Sequence, residues 1–298
     1  MNNFHTPVLL KETIDLLQVK KGEKYIDATL GGGGHAGEIL DLGGRVLGID
    51  VDEEALDYVE KNEELRTKNK ELILLKGNFR NLEEIAHLNN FDKVKGIIFD
   101  LGVSSHQLDE GERGFSFSKS GPLDMRMDKA LGVKASDLVN ILTKGELYEI
   151  FIKLGEEHRA RAISDGIVRA RGISPIRTTE DLSKVIQEAL GIRGEISEFT
   201  KAQINKRVFQ ALRIAVNDEL GSIKEALPQS LNLLESGGRV AVISFHSLED
   251  RIVKQSFKEF ESAKMGKIIT KKPVIAENEE INSNPRARSS KLRVFEKN

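Results

Sequence analysis

Apolar residues occur along this chain in short continuous runs that are separated by segments with helical spacing. Two runs end at Asp27 and at Asp50, and the others occupy residues 71–76, 94–100 and 239–245. Short apolar runs bounded by turn residues are typical of buried strands, whereas apolar positions three and four residues apart indicate helices. The alternation therefore predicts an α/β fold around a mainly parallel sheet. Two further strand-like pieces, 268–271 and 291–296, lie near the end of the chain.

The middle of the chain has a different pattern. Residues 106–128 are rich in glycine and charge without a sustained period, yet they interleave phenylalanines and methionines, which argues against disorder. From residue 134 to residue 210 the spacing is helical, and no strand pattern interrupts it. We therefore expect residues 1–107 and 214–298 to form one α/β domain, and residues 108–213 to form an all-helical insertion.

A glycine turn lies between the first two predicted strands. Residues 31–34 are all glycine, a helix is predicted to begin near His35, and the next strand ends in Asp50. Glycines let the backbone turn sharply against a ligand, a helix start presents free N–H groups, and a carboxylate suits the hydroxyls of a ribose. The glycines from Gly32 onward match a dinucleotide fingerprint, while in an S-adenosylmethionine site Thr29 would replace the first glycine. This stretch alone fits NAD and S-adenosylmethionine equally.

Polar or aromatic residues follow the predicted strands at their carboxyl ends. Asp27, Asp50 and Asp100 end the first, second and fourth strands, and Phe79 follows the third. Ligands of open α/β sheets bind outside these strand ends, so we expect the four residues to border one site. Phe79 would either pack on an adenine or belong to the core. His246, at the tip of the fifth strand, is a further candidate.

Composition narrows the class of protein. The 298 residues carry a net charge of -2 and contain neither an N-terminal apolar segment nor an apolar run of membrane-spanning length, so we expect a cytoplasmic protein without a membrane partner. Cysteine is absent, which excludes disulfides, thiolate metal sites and cysteine nucleophiles. The six histidines lack the spacing of metal ligands, so no metal site is expected.

Any RNA contact must use local basic segments, because the net charge provides no general attraction to nucleic acid. Residues 158–171 carry four arginines against one aspartate, residues 201–213 carry four cations and no acid, and residues 264–298 have a net charge of +5. Such segments suit phosphate contacts, although solvated helix faces or a disordered tail would have the same composition.

Six short motifs give the chain a resemblance to a known family. In order they are GGGGHAG, DLGVSSHQLD, ERGFSF, GPLDMRMD, SFHSLEDR and RARSSKLR. Together they resemble the bacterial 16S ribosomal RNA cytosine-N4 methyltransferase family, called RsmH or MraW, over essentially the whole chain. The resemblance implies a class I methyltransferase domain, Rossmann-like with a seven-stranded mainly parallel sheet, and a helical insertion. It also implies S-adenosylmethionine as methyl donor and, as acceptor, a cytosine in the decoding region of 16S rRNA in the small ribosomal subunit.

The resemblance also assigns site residues. Its cofactor positions correspond to Gly33, Gly34, His35, Asp50, Phe79, Asp100 and Gln107. Many amino-methyltransferases carry an Asp/Asn-Pro-Pro-aromatic motif where this chain has residues 100–103, which keep the carboxylate but lack the prolines and the ring. We therefore expect Asp100 to be catalytic, by accepting a hydrogen bond from the cytosine N4 amine. Phe115, Phe117 or the tip at 244–246 would supply the missing stacking residue.

Contacts to RNA are expected from the GPLDMRMD loop, the basic segments and the tip of the fifth strand. The candidates are Asp124, Arg126, Arg169, Arg171, His246 and Arg288. Two other functions stay open at this stage. An NAD-dependent oxidoreductase would bind NAD and transfer no methyl group, and a non-catalytic RNA-binding module would bind RNA without any donor. The sequence also leaves open whether the protein forms a homodimer.

Overall fold

The structure, a computed structural model, describes residues 6–62, 65, 71–191 and 198–298. It divides the chain into two compact units, one formed by Met1–Ser104 with Leu220–Asn298 and the other by Ser105–Glu219. None of the described helices is long and apolar enough to span a membrane.

The first unit is built around a seven-stranded sheet. Its strands are β1 (Lys24–Asp27), β2 (Arg45–Asp50), β3 (Leu72–Lys76), β4 (Val94–Asp100), β5 (Leu234–Ser244), β6 (Gly266–Ile268) and β7 (Lys291–Lys297). Their spatial order is β3-β2-β1-β4-β5-β7-β6. Strands β1 to β5 are parallel to one another, whereas β7 pairs antiparallel with both β5 and β6. The predicted α/β fold class with a mainly parallel sheet is therefore confirmed.

Helices connect these strands and form the second unit. In chain order the described α-helices are α1 (Leu10–Leu17), α2 (Gly34–Asp41), α3 (Glu53–Lys61), α4 (Leu82–Leu88), α5 (Ser105–Asp109), α6 (Ala135–Ile141), α7 (Lys144–Lys153), α8 (Ala160–Arg171), α9 (Thr179–Ala189), α10 (Glu198–Asn217), α11 (Glu219–Leu233), α12 (Ser247–Ser262) and α13 (Asn278–Ser283). Short 3-10 turns occupy Phe79–Asn81, Gly111–Arg113 and Pro285–Ser289.

Side-chain alternation along the central strands produces an apolar cluster on each face of the sheet. Phe99 of β4 and Val242 of β5 belong to one cluster, whereas Ile98 and Ile243 belong to the other. Strands buried on both faces are apolar along their whole length, which is why the sequence pattern identified them as continuous runs. By the same alternation, the side chain of Asp100 leaves β4 on the face of Ile98.

The first helix begins later than its sequence suggests. Pro7 suits the first turn of a helix, but α1 begins at Leu10, and the preceding Leu9 adopts the left-handed conformation with φ 53°. The Leu9 N–H donates to Glu280 Oε1 at 2.8 Å. The Pro7 ring packs against Gly34 so closely that a Cβ there would lie 2.7 Å from Pro7 Cγ. Contacts with distant parts of the chain therefore outweigh the local helix-start signal and hold this segment against the glycine turn.

The strand predicted at 268–271 is also displaced, because β6 ends at Ile268. Just beyond it, the hydroxyl of Thr270 accepts a hydrogen bond from the Val294 N–H at 2.9 Å. A side chain therefore satisfies the β7 backbone at the point where regular pairing stops, and no sequence pattern indicated this contact.

The second unit packs its helices around a shared apolar interior. Phe151 of α7, Ile163 of α8 and Leu182 of α9 are fully buried. Helices α8 and α9 approach so closely that a Cβ on Gly166 would lie 2.4 Å from the Cβ of Ala189. The helical spacing predicted between residues 134 and 210 is confirmed in the described part of that range, whereas a role of this unit in RNA binding stays a prediction.

Candidate active site

The glycine turn between β1 and α2 has little room for side chains. Gly33 has a φ of 76°, and a Cβ on it would lie 2.9 Å from Leu65 Cδ1; Gly34 is similarly crowded. The Gly31 N–H donates to Asp50 Oδ2 at 2.8 Å, which ties the turn to the tip of β2. The turn is therefore a fixed stretch of bare backbone that leads into the N-terminus of α2, an arrangement suited to a nucleotide-type ligand.

Asp27 and Asp50 place carboxyl groups at the tips of β1 and β2. Burial raises the pKa of Asp27 to about 7, although the Thr29 N–H donates to it, and the charges of Asp100 and Asp50 raise it further. Desolvation likewise raises the pKa of Asp50 to about 6, opposed by backbone N–H donors. Because desolvation and like charges disfavour ionisation here, a cationic ligand would be attracted to this edge of the sheet.

Asp100 ends β4 beside the glycine turn. Its N–H donates to Thr29 Oγ1 at 2.6 Å, and its Oδ2 lies 3.7 Å from His35 Nδ1. Both side chains of this pair are buried. Residues from the loop after β1, the start of α2 and the end of β4 therefore meet at the point where the strand order changes direction, which is the ligand-binding position of open α/β sheets.

Phe79 and Gln107, two other predicted cofactor contacts, belong to different units. Phe79 lies in the 3-10 turn after β3 and is half-buried, with its ring edge-to-face against Phe99 at a centroid distance of 5.6 Å. Core packing thus uses one edge of the ring, and its contact with an adenine stays a prediction. Gln107 lies in α5 of the second unit, where it is buried, and its cofactor role also stays a prediction.

His246, at the tip of β5, caps the helix that follows it. It is the N-cap residue of α12, and its Nδ1 accepts a hydrogen bond from the Glu249 N–H at 3.4 Å. The carboxylate of Glu249 accepts from the Phe245 N–H at 2.8 Å and lies 3.1 Å from His246 Nε2. This reciprocal capping fixes the backbone at the end of β5, while a contact between His246 and substrate stays a prediction.

Asp124 and Arg126 form an ion pair within the second unit. Arg126 Nε and Nη2 donate to the two Asp124 oxygens at 2.7 and 2.8 Å, and Nη1 donates to the carbonyls of Lys129 and Leu131. Burial opposes ionisation of Asp124, but the hydrogen bonds from Arg126 outweigh it and hold the pKa of Asp124 below its usual value. The pair therefore organises its own loop, and the predicted RNA contacts of both residues stay predictions.

The other three predicted RNA contacts differ in exposure. Arg171 is half-buried and donates to the carbonyls of Val139 and Leu142 at 2.8 and 2.6 Å, so its guanidinium supports the end of α6. Arg169 in the last turn of α8 is exposed, as is Arg288 in the 3-10 turn before β7. Exposure suits a phosphate contact for the latter two, which also stays a prediction.

The sequence did not indicate what Thr29 does. Only its replacement of a glycine was visible, whereas the structure gives its hydroxyl a partner, the Asp100 N–H, 71 residues away. A polar residue in a position that is usually glycine was the available signal. Its partner depends on the β1–β4 pairing, which aligns Asp27 with Ile98.

Comparisons with known proteins agree over the whole chain. The sequence model of the MraW methylase family matches residues 2–298. Two curated relatives are both named Ribosomal RNA small subunit methyltransferase H. That of Carboxydothermus hydrogenoformans is 45% identical over 313 residues, covering 100% of this chain and 99% of its own. That of Coprothermobacter proteolyticus is 43% identical over 301 residues, covering 100% and 98%.

Likeness to solved structures is weaker. The crystal structure of an rRNA methylase from Streptococcus thermophilus covers 98% of this chain and 97% of its own, with 13% identity and a TM-score of 0.45. A likeness of this size carries no argument about function.

Proposed function

The chain belongs to the MraW methylase family, and from this premise we propose that it transfers a methyl group from S-adenosylmethionine to the N4 amine of a cytosine in small-subunit ribosomal RNA. The observation that carries the proposal is the meeting of Asp100 with His35 and Thr29 beside the glycine turn. A protein with this activity is neither of the two alternatives that the sequence left open, an NAD-dependent oxidoreductase and a non-catalytic RNA-binding module.

The residues at this sheet edge fit the donor. S-adenosylmethionine, when bound, supplies an electrophilic methyl group on a positively charged sulfonium. Gly33 and Gly34 offer bare backbone, Asp50 offers a carboxylate for ribose hydroxyls, and Phe79 offers an apolar ring for the adenine. The raised pKa values of Asp27 and Asp50 support a site that favours a cationic ligand. Together with His35 and Asp100, these residues are proposed to hold the donor.

Asp100 is proposed to act on the acceptor. The lone pair of the cytosine N4 amine is delocalised into the ring, so a carboxylate that accepts an N4–H hydrogen bond would localise it and later receive the proton. The backbone bond to Thr29 and the neighbouring His35 restrict where this carboxylate can lie. The main task of the protein is then to align the amine with the methyl group, because the methyl group is already reactive.

The second unit is proposed to bind RNA. Exposed Arg169 in this unit suits a phosphate contact, and Asp124, Arg126 and Arg171 would shape the surface of the unit. In the first unit, Arg288 and His246 are each proposed as a contact to RNA. A cytosine in the decoding region is the proposed target, reached by unstacking or in an exposed state.

Because the substrate is ribosomal RNA, we propose that the protein works in the cytoplasm. Light scattering would decide between a monomer and the homodimer that the sequence left open.

Nucleoside mass spectrometry tests the function. The purified protein is incubated with methyl-deuterated S-adenosylmethionine and with small ribosomal subunits that lack base methylation, and the rRNA is digested. We expect labelled N4-methylcytidine. Donor binding without label in the rRNA would contradict the substrate, and a label on another nucleoside would contradict the acceptor. If neither donor binding nor label were found, the proposal would fall as a whole.

A further inference from the structure

The acceptor side of the proposed site lacks an obvious stacking partner for its base. A base that is unstacked from the RNA recovers part of the lost stacking energy when it stacks on an aromatic side chain. The four residues from Asp100 to Val103 contain no aromatic ring. The ring must therefore come from another part of the chain, and the sequence offers three phenylalanines near its motifs.

Two of these rings are already used by packing within the second unit. Phe115 is 6% exposed, and the Arg113 guanidinium lies 5.8 Å from the centre of its ring. Phe117 is half-buried and packs edge-to-face on Phe209, with 5.8 Å between the ring centres. Phe115 is too buried to receive a base, and Phe117 offers only the part of its ring that Phe209 leaves uncovered.

The third ring, Phe245, stands beside the loop that follows Asp100. Strands β4 and β5 pair in parallel with Asp100 opposite Ile243, so Phe245, two residues on, lies level with Gly102. A Cβ on Gly102 would lie 3.5 Å from Phe245 Cδ2. Phe245 follows the last residue of β5 and packs on the same apolar cluster as Ile243, so its ring lies on the face of the sheet that Ile243 and, across the pair, Asp100 share. The ring and the carboxylate thus share one face at the same edge.

The backbone on both sides of this ring is held in place. The Phe245 N–H donates to the buried carboxylate of Glu249 at 2.8 Å. On the neighbouring loop, the guanidinium of Arg286 donates to the Val103 carbonyl. Phe245 itself is half-buried, with part of the side chain packed on the apolar cluster of this face. A ring that is fixed at its base and partly accessible can receive a flat ligand without rearrangement.

We propose that Phe245 forms the face on which the target cytosine stacks, taking the place of the aromatic ring that the Asp100 loop lacks. The inference rests on the proposed function and deepens it, because it names the residue that positions the acceptor base. The amine of a base stacked on Phe245 would lie on the face of the sheet that carries Asp100.

Kinetics with three variants test this role. Phe245→Leu removes the ring but keeps an apolar side chain, Phe245→Tyr keeps the ring, and Phe117→Leu is the matched control in the second unit. Stacking on one aromatic side chain contributes about 1–3 kcal/mol, so Phe245→Leu should lower kcat/KM for unmethylated small subunits by roughly 5- to 150-fold. Affinity for S-adenosylmethionine should stay within about twofold, measured by calorimetry, and Phe245→Tyr and Phe117→Leu should stay close to wild type.

The absence of tryptophan from the chain provides a second readout. In Phe245→Trp the new residue is the sole tryptophan, and its fluorescence should be quenched when unmethylated small subunits bind. The inference is overturned if the wild-type protein methylates rRNA while Phe245→Leu keeps its kcat/KM, or if Phe117→Leu carries the loss instead. A wild-type protein that methylates no rRNA would overturn the proposed function itself, and this inference with it.

Discussion

The aspartates of the two units differ in what surrounds their carboxyl groups. Asp27 at the tip of β1 lies near Asp50 and Asp100, and its pKa is raised to about 7. Asp124 in the second unit lies against Arg126 and Lys134, and its pKa is lowered. The residue type is the same, but Asp27 is fully buried among acidic neighbours, whereas Asp124 is half-buried among basic ones. Burial and neighbouring charge therefore both contribute to the opposite shifts of the pKa.

This difference separates a site that awaits a ligand from a contact that is complete within the fold. A carboxylate paired with arginine has its charge compensated by the protein itself, and its contribution is structural. Buried carboxyl groups that lie close to one another have an unfavourable electrostatic energy that a cation can relieve, and groups of this kind concentrate at functional sites. We therefore infer that the carboxyl groups at the edge of the sheet bind a ligand, whereas the Asp124–Arg126 pair stabilises its own loop.

The largest effect is expected when the carboxylate at the centre of the proposed site is replaced. Asp100→Asn keeps the size of the side chain but cannot take up the N4 proton, so kcat should fall by about 100- to 10,000-fold. Single-turnover methyl transfer to unmethylated small subunits measures this loss, and calorimetry measures donor affinity in parallel.

Asp109→Asn, an exposed aspartate paired with Lys119, is the control and should remain active. If Asp100→Asn lost donor binding and turnover by the same factor, the role of Asp100 would be limited to holding the donor. An active Asp100→Asn protein would remove it from the chemistry altogether.

A smaller effect, on stability, is expected when the compensated pair is broken. Arg126→Met removes two hydrogen bonds to Asp124 and two to backbone carbonyls. It takes away the closest charged partner of the half-buried Asp124 carboxylate and leaves the longer ion pair with Lys134, at 3.5 Å. Hydrogen bonds to charged groups contribute about 1.5–3 kcal/mol, so the free energy of unfolding of this unit should fall by about 2 kcal/mol. Urea denaturation, monitored by amide hydrogen exchange of residues 125–135, measures this loss of stability.

The exposed Arg177 offers a control, since its replacement by methionine should leave stability nearly unchanged. Unchanged stability in Arg126→Met, together with a loss of RNA binding, would reverse our interpretation and make Arg126 a phosphate contact.

The architecture could be predicted from the sequence, because strands buried on both faces leave continuous apolar runs and their acidic tips are visible at once. Pairings between distant residues could not. The bond from Thr29 to the Asp100 backbone depends on which strands are neighbours, and the bond from Leu9 to Glu280 spans 271 residues. The Arg126 and Arg171 guanidinium groups looked in sequence like free cations, whereas the fold engages both with carbonyl oxygens. Local patterns identify charges but not what compensates them.

Donor binding should depend on pH because two buried carboxyl groups at the edge of the sheet have raised pKa values. In the protein without donor the pKa values of Asp27 and Asp50 are about 7 and about 6. A cation stabilises the ionised forms and lowers both pKa values, so binding releases protons. Affinity for S-adenosylmethionine should therefore rise as the pH increases from 5 to 7, by at most about tenfold per pH unit for each group, and then level off.

Calorimetry across this range measures the slope. S-adenosylhomocysteine, which lacks the sulfonium charge, should show a shallower slope, and Asp27→Asn should flatten the slope for S-adenosylmethionine. A donor affinity that stayed constant from pH 5 to pH 7 would mean that these carboxyl groups do not respond to the donor, and the contrast between the two units would lose its functional meaning.

The smallest effect is expected at Arg169, an exposed cation of the second unit. Arg169→Glu, in the last turn of α8, should weaken binding of unmethylated small subunits by several-fold at low salt and reduce the salt dependence of the affinity by about one phosphate contact. Arg45→Glu, an equally exposed arginine in the first unit that pairs with Glu71, is the matched control and should leave the salt dependence unchanged. Filter binding between 50 and 200 mM salt resolves a change of this size. If both variants lost affinity equally, the attraction would be a general effect of net charge, and α8 would have no special part in holding RNA.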